Sequence, residues 1–282
     1  VNDVFTYTLT DGDGDTSPTT LTIHIGNSTP QIGGLTPELQ GGDAMVDEAN
    51  LPARTNPAEP AGSNGLSAPD TTSGDFTITS ADGVKSLTVG GTAFITNGVF
   101  TAGSVTTPEG NTLEITAYDA ATGKVSYTYT LVDNEIHPNG GGTNNLFDNI
   151  AIELTDQDGQ SAPGTLSIKI VDDVPSAHAD DLTIAAGDFA GHGGNVITGA
   201  NEDSASGADV KGADGASVTH IVGYNGAEAD VTDTGTTIAG QYGTLEIKSD
   251  GSYTYTRTAG TKGGVNDVFT YTLTDGDGDT SP

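Results

Sequence analysis

The sequence contains no cysteine and no tryptophan, methionine occurs once, and lysine and arginine together number 8 in 282 residues. Without cysteine no disulfide staples the fold, and no thiolate is on hand as a nucleophile. So few cations cannot neutralise a phosphate backbone, which excludes nucleic acid as a partner and disfavours an anionic membrane surface. No apolar run approaches the ~20 residues of a membrane span, so this segment does not insert into a bilayer. There is no GxSxG elbow and no HExxH or His-x-His pair. The five histidines (His24, His137, His178, His192 and His220) are scattered, and are expected at the surface or in loops rather than around zinc. No segment sustains a helical period. No signal peptide opens the sequence, as expected of an internal stretch of a longer chain.

Acid is abundant. Aspartate and glutamate number 39, for a formal net charge of −31. Such self-repulsion calls for neutralisation or for an extended shape, and hard divalent cations such as Ca2+ prefer carboxylate and carbonyl oxygens. High charge with modest hydrophobicity is also a signature of disorder. Here the apolar residues alternate regularly instead of being scarce, which argues for strands.

Residues 265–282 repeat residues 1–18 without a difference. The stretch is an alternating strand (Phe5, Tyr7, Leu9) that runs into a ladder of aspartates (Asp11, Asp13, Asp15), and its second copy carries Asp275, Asp277 and Asp279. The chain is therefore expected to be a window on a tandem array. Alternation at Phe76/Ile78, Leu87/Val89, Leu113/Ile115, residues 125–131, 150–154 and 166–170 predicts further strands, as does that at Leu182/Ile184, Val218–Val222, Leu245/Ile247, Tyr253/Tyr255 and residues 269–273. Many short strands joined by Gly/Asp/Asn turns predict an all-β sandwich architecture. Prolines after short linkers set the expected boundaries. Residues 1–29 are the last strands of one unit, 30–175 a long unit, and 176–282 a shorter unit lacking its final strand.

Alternate aspartates with intervening glycines gather carboxylates around one point, where Ca2+ turns mutual repulsion into six to eight oxygen contacts. The plainer alternative is a solvated Asp-Gly hairpin turn. A third ladder, Asp156 and Asp158, also precedes a closing strand, but Gln160 stands where the first has Asp15. None is an EF-hand loop, because the bidentate glutamate at position twelve is missing. Each ladder therefore needs help from linker acids. Asp47 and Glu48 are expected to complete the ladder at Asp11, and Asp172, Asp173, Asp180 and Asp181 surround the second linker. Glu202, Asp203, Asp209 and Asp214 form an acidic loop expected to hold a further ion.

Gly243-Thr-Leu-Glu-Ile-Lys-Ser-Asp-Gly-Ser-Tyr-Thr-Tyr255, followed by Asp267-Val-Phe-Thr-Tyr-Thr-Leu-Thr-Asp-Gly-Asp-Gly-Asp279, resembles a VCBS-type repeat, and Gly194-Asn-Val-Ile-Thr198 fits the same pattern. The middle unit resembles the longer repeat of type I-secreted adhesins at Asp75-Phe-Thr-Ile-Thr-Ser-Ala-Asp-Gly-Val84, Ala117-Tyr-Asp-Ala-Ala-Thr-Gly-Lys-Val-Ser-Tyr-Thr-Tyr129 and Gly164-Thr-Leu-Ser-Ile-Lys-Ile-Val-Asp-Asp-Val-Pro175. The resemblance implies tandem Ig-like or cadherin-like sandwiches in an elongated array, forming the Ca2+-dependent extender of an RTX-type adhesin on a Gram-negative cell surface. It implies a role in adhesion and biofilm formation without catalysis. The partners are then neighbouring repeats, with head-to-tail strand donation between copies as a further expectation. The alternative is a carbohydrate- or surface-binding sandwich module, which requires an exposed aromatic row. The tyrosines and phenylalanines lie instead on alternating strand faces, as core residues do.

Overall fold

The computed structural model describes residues 2–55, 58–65, 70–138, 142–202 and 207–282. It is all-β, with three short 3-10 turns as its only helical elements among those residues. Accordingly, no helix among them is long and apolar enough to cross a membrane.

Among the described residues, strands Asn2–Thr10 and Thr16–His24 pair only with each other. Every described residue of this hairpin is exposed, including Phe5, Tyr7, Leu9, Leu21 and Ile23. The next unit has two sheets around one core. In the first, Asn145–Asp156 lies between Val84–Val89 and Ser161–Val171. In the second, Lys124–Thr130 lies between Thr112–Asp119 and Thr71–Thr79. The period-two pattern is clear in Asn145–Asp156, where Asp148, Ile150, Ile152, Leu154 and Asp156 are buried and the residues between them are not. Phe76, Leu87, Leu113, Tyr129, Ile150 and Leu166 meet in the core from both sheets.

The last unit has its own, smaller core, built by Val218, Ile221, Leu245, Ile247 and Leu273 with Tyr253, Phe269 and Tyr271 at its margin. Its strand Thr270–Asp275 repeats the hairpin sequence in a packed setting. Leu273 is wholly buried there, whereas Leu9 is 64% exposed. The alternation at Leu182 and Ile184 does not become a strand; the neighbouring run Gly191–Asn195 takes the place beside Ser252–Arg257. Glycine is needed in that run, because a Cβ on Gly194 would lie 2.7 Å from both the Tyr253 hydroxyl and the Ala200 carbonyl oxygen.

Two details of topology place the acids. The aspartate turn between the last two long strands of the middle unit starts the closing strand Ser161–Val171, which runs about 35 Å away from it at roughly 3.4 Å per residue. The strand Ala44–Asp47 pairs in parallel with that closing strand, Asp47 opposite Val171, so Glu48 ends level with Asp172.

Candidate metal centre

The carboxylates converge where the middle unit meets the last one. Glu48, His137 and Asp172 come from the middle unit and are all buried. Asp214 comes from a loop of the last unit, and Asp275, Asp277 and Asp279 from its aspartate turn. Ligand atoms of Glu48, His137 and Asp172 lie within 4.8 Å of one another, and so do those of Asp172, Asp214 and Asp277, and those of Asp275, Asp277 and Asp279. Shared members make the three groups one continuous cluster across the joint.

Local backbone chemistry shapes it. Asp275 Oδ1 accepts from the amides of Gly278 (3.0 Å) and Asp279 (2.7 Å), which curls the turn and leaves Oδ2 pointing out. Asp156 and Asp11 do the same, taking the amides of Gln160 and Asp15 at 2.8 Å. Across the joint, Asp279 Oδ1 accepts from the Gly142 amide at 2.9 Å. Glu48 Oε1 accepts from the Glu135 amide (2.6 Å) and faces His137 Nε2 (3.3 Å), while His137 Nδ1 meets Asn144 Oδ1 (3.1 Å). Asp214 Oδ1 accepts from the Asn134 side-chain Nδ2.

The remaining oxygens have no partner. Glu48 Oε2, both oxygens of Asp172, Asp214 Oδ2, Asp275 Oδ2, both oxygens of Asp277 and Asp279 Oδ2 are buried without a hydrogen bond. Leaving even one such group unmet costs on the order of 1–3 kcal/mol, more when it is charged. Burial pushes the Asp172 carboxyl up to about 8, helped by the touching Asp279 carboxyl and the charge of Asp277. Burial and then the charge of Glu48 lift Asp214 to about 7. Burial and contact with Asp277 lift Asp275 to about 7. Burial opposes charging His137, but Glu48 outweighs it and raises the imidazole to about 9. Unmet, crowded, all-oxygen donors suit a hard divalent cation such as Ca2+, with His137 acting as a support that orients Glu48.

The other acids singled out by sequence lie elsewhere. Asp11, Asp13 and Asp15 form an exposed group on the hairpin turn. The strand Thr16–His24 separates that turn from the linker by about 30 Å, so Asp47 and Glu48 do not complete it. In its second copy, Asp275 to Asp279, the ladder lies instead beside Asp172 of the preceding unit. Asp47 caps the 3-10 turn Glu48–Asn50 by accepting from the Ala49 amide. Asp173 is saturated by Ser63 and the Ala213 amide, and so bonds the units together directly. Asp180 and Asp209 share the Tyr271 hydroxyl, and burial and then the Asp209 charge raise Asp180 to about 6. Asp181 is exposed. The loop expected to hold its own ion is divided: Glu202 pairs with His192, Asp209 binds the His178 amide, and Asp214 joins the joint. Asp203 lies outside the described residues. Asp156 keeps one buried orphan oxygen, while Asp158 is exposed. His137, expected at the surface, is 2% exposed, because Glu48 gives it a charged partner inside.

Arg54 was not anticipated. It pairs with Glu59 and Asp133 and donates to the Ala213 carbonyl (2.6 Å), so one of the few cations grips the neighbouring unit beside the acids. No protein-family model matches the chain, and no curated protein sequence aligns with it significantly.

Proposed function

We propose that the chain is an extender segment of a large secreted bacterial adhesin, in which Ca2+ at the joint between sandwich units stiffens an elongated array. The observation that carries this is the set of buried, unpartnered carboxylate oxygens drawn from two units onto one point. A cation there neutralises acids of both units at once, so its binding energy becomes resistance to bending. The extracellular Gram-negative setting, type I export and the tandem Ig-like or cadherin-like arrangement come from the resemblance to VCBS-type and RTX-adhesin repeats. Export as an unfolded chain and folding where Ca2+ is plentiful suit a protein without cysteine. The role is mechanical, and no catalysis is assigned to it.

Two measurements test this together. Calorimetric titration with Ca2+ is expected to show binding, and small-angle scattering is expected to show a narrower range of lengths in Ca2+ than after its removal. An absence of heat and an unchanged scattering curve would reject the reading.

The exposed Phe5, Tyr7 and Leu9 row is where a glycan platform suggests itself. Its duplicate buries Leu273 and half-buries Tyr271 in a core, which favours a face built for strand packing. Between copies, such packing gives head-to-tail strand donation, seen as concentration-dependent mass in light scattering.

A further inference from the structure

The chain has two joints of one design, and their chemistry differs. The linker Asn27-Ser28-Thr29-Pro30 aligns with Asp172-Asp173-Val174-Pro175, each following a closing strand. The loop Ala81-Asp82-Gly83 aligns with Ala213-Asp214-Gly215, each entering a strand that pairs with the one leading into the aspartate turn. Asp156, Asp158 and Gln160 align with Asp275, Asp277 and Asp279. Asp172, Asp173, Asp214, Asp275, Asp277 and Asp279 at the second joint thus correspond to Asn27, Ser28, Asp82, Asp156, Asp158 and Gln160 at the first.

The substitutions change what closes the joint. Asp82 Oδ2 accepts from both the amide (2.9 Å) and the hydroxyl (2.6 Å) of Ser28. The corresponding Asp214 Oδ2 has no partner. Gln160 removes the charge that Asp279 carries, and Asn27 removes that of Asp172. Asp156 Oδ2 is the only buried orphan side-chain oxygen among the described residues at this joint, with Asp158 exposed beside it. Three of the six aligned positions thus lose a carboxylate, and a fourth, Asp82, is spent on Ser28.

We infer that the first joint is closed by the Ser28–Asp82 clasp without a metal, so that cation-locked and cation-independent joints occur in one chain. This rests on reading the second joint as a Ca2+ site. Withdrawing Ca2+ would then loosen the array at one joint in two and leave the other closed, making the rod segmentally flexible rather than limp throughout. Residues 27, 28 and 160 set which kind of joint is made.

Amide hydrogen exchange by NMR on the whole chain tests this, because the reporting amides are part of the joints. The Ser28 amide reads the first joint, and the Gly142 and Ala213 amides read the second. Expected on removal of Ca2+ is unchanged protection at Ser28, with protection at Gly142 and Ala213 falling more than about tenfold. A matching fall at Ser28 overturns the inference and leaves the Ca2+ reading intact. No fall at any of the three removes the Ca2+ reading and the inference with it. Asp82→Ala, which removes the acceptor of both bonds, is expected to expose the Ser28 amide both with and without Ca2+, and continued protection would show that the clasp is not what closes the joint. Asn27→Asp, Ser28→Asp and Gln160→Asp combined are expected to make residue 28 protected in Ca2+ only, with core amides of Asn145–Asp156 as the folding control. Protection that stays indifferent to Ca2+ in a folded triple variant also overturns the inference.

Discussion

Removing Ca2+ is expected to destabilise the last unit, and to do so more at higher pH. At free Ca2+ about 100-fold above Kd, a site present only in the folded state contributes about 2.7 kcal/mol. Unfolding entropy near 2.1 cal/mol/K per residue makes about 0.2 kcal/mol/K for a unit of about 100 residues, so the shift in Tm is about 13 °C. The pH dependence follows from the crowded carboxyls. Asp172, Asp214 and Asp275 have folded-state values of about 8, 7 and 7, raised from 3.8. Between these limits the folded, cation-free protein holds protons that the unfolded chain has released. Stability is therefore fully present below about pH 4 and is lost as pH rises through about 7 to 8. Ca2+ displaces those protons and removes the loss. Differential scanning calorimetry of dialysed and Ca2+-loaded protein is thus expected to give a Tm gain that is small near pH 5 and large near pH 8. A gain that is absent, or equal at both ends, would refute the placement of the cation among these three carboxyls.

Asp172→Asn is expected to weaken Ca2+ binding by about tenfold or more in calorimetric titration while raising the Tm of the cation-free protein near pH 8, since asparagine is neutral there without holding a proton. Arg54→Ala breaks two ion pairs and the bond to the Ala213 carbonyl, and is expected to cost about 1–3 kcal/mol in urea denaturation with Ca2+ present. Gly123→Ala puts a side chain at φ +74° and drives it into the Ile78 carbonyl oxygen, with an expected loss above about 1 kcal/mol in the same assay.

The strands were legible because their packing imposes period two. Phe76/Ile78, Leu113/Ile115, Tyr127/Tyr129 and Ile150/Ile152/Leu154 alternate in sequence and are all buried in one core. The same rule misplaced Leu182 and Ile184, since alternation says nothing about which segment finds a free sheet edge, and a run with three glycines found it. Acidity and aspartate spacing marked the ladders and the linker acids, but not that Asp172 meets the ladder of the following unit, which depends on how the two units pack. Glu48 came into the wrong site because its partner is fixed by a parallel pairing across more than a hundred residues, which no local pattern records. His137 and Arg54 carried no signal at all, because isolated cations in an acidic chain acquire meaning only from what folds against them.

The polarity of the ladder follows from topology. The ladders at Asp11 and Asp156 are each a turn between two antiparallel strands, and the second of these closes its unit and runs into the linker. Turn and outgoing linker must then lie at opposite ends, separated by the length of the closing strand. A ladder in a tandem chain therefore cannot meet the linker that leaves its own unit; it faces the linker that enters. Asp275 to Asp279 meets Asp172 for this reason, Asp156 lies at the end where Ser28 meets Asp82, and Asp11 to Asp15 stands about 30 Å from its own outgoing linker. On the proposed function, the cation contacts of such a unit are made with its N-terminal neighbour, and the residues of that neighbour's linker together with the last ladder position decide whether a cation is needed at all.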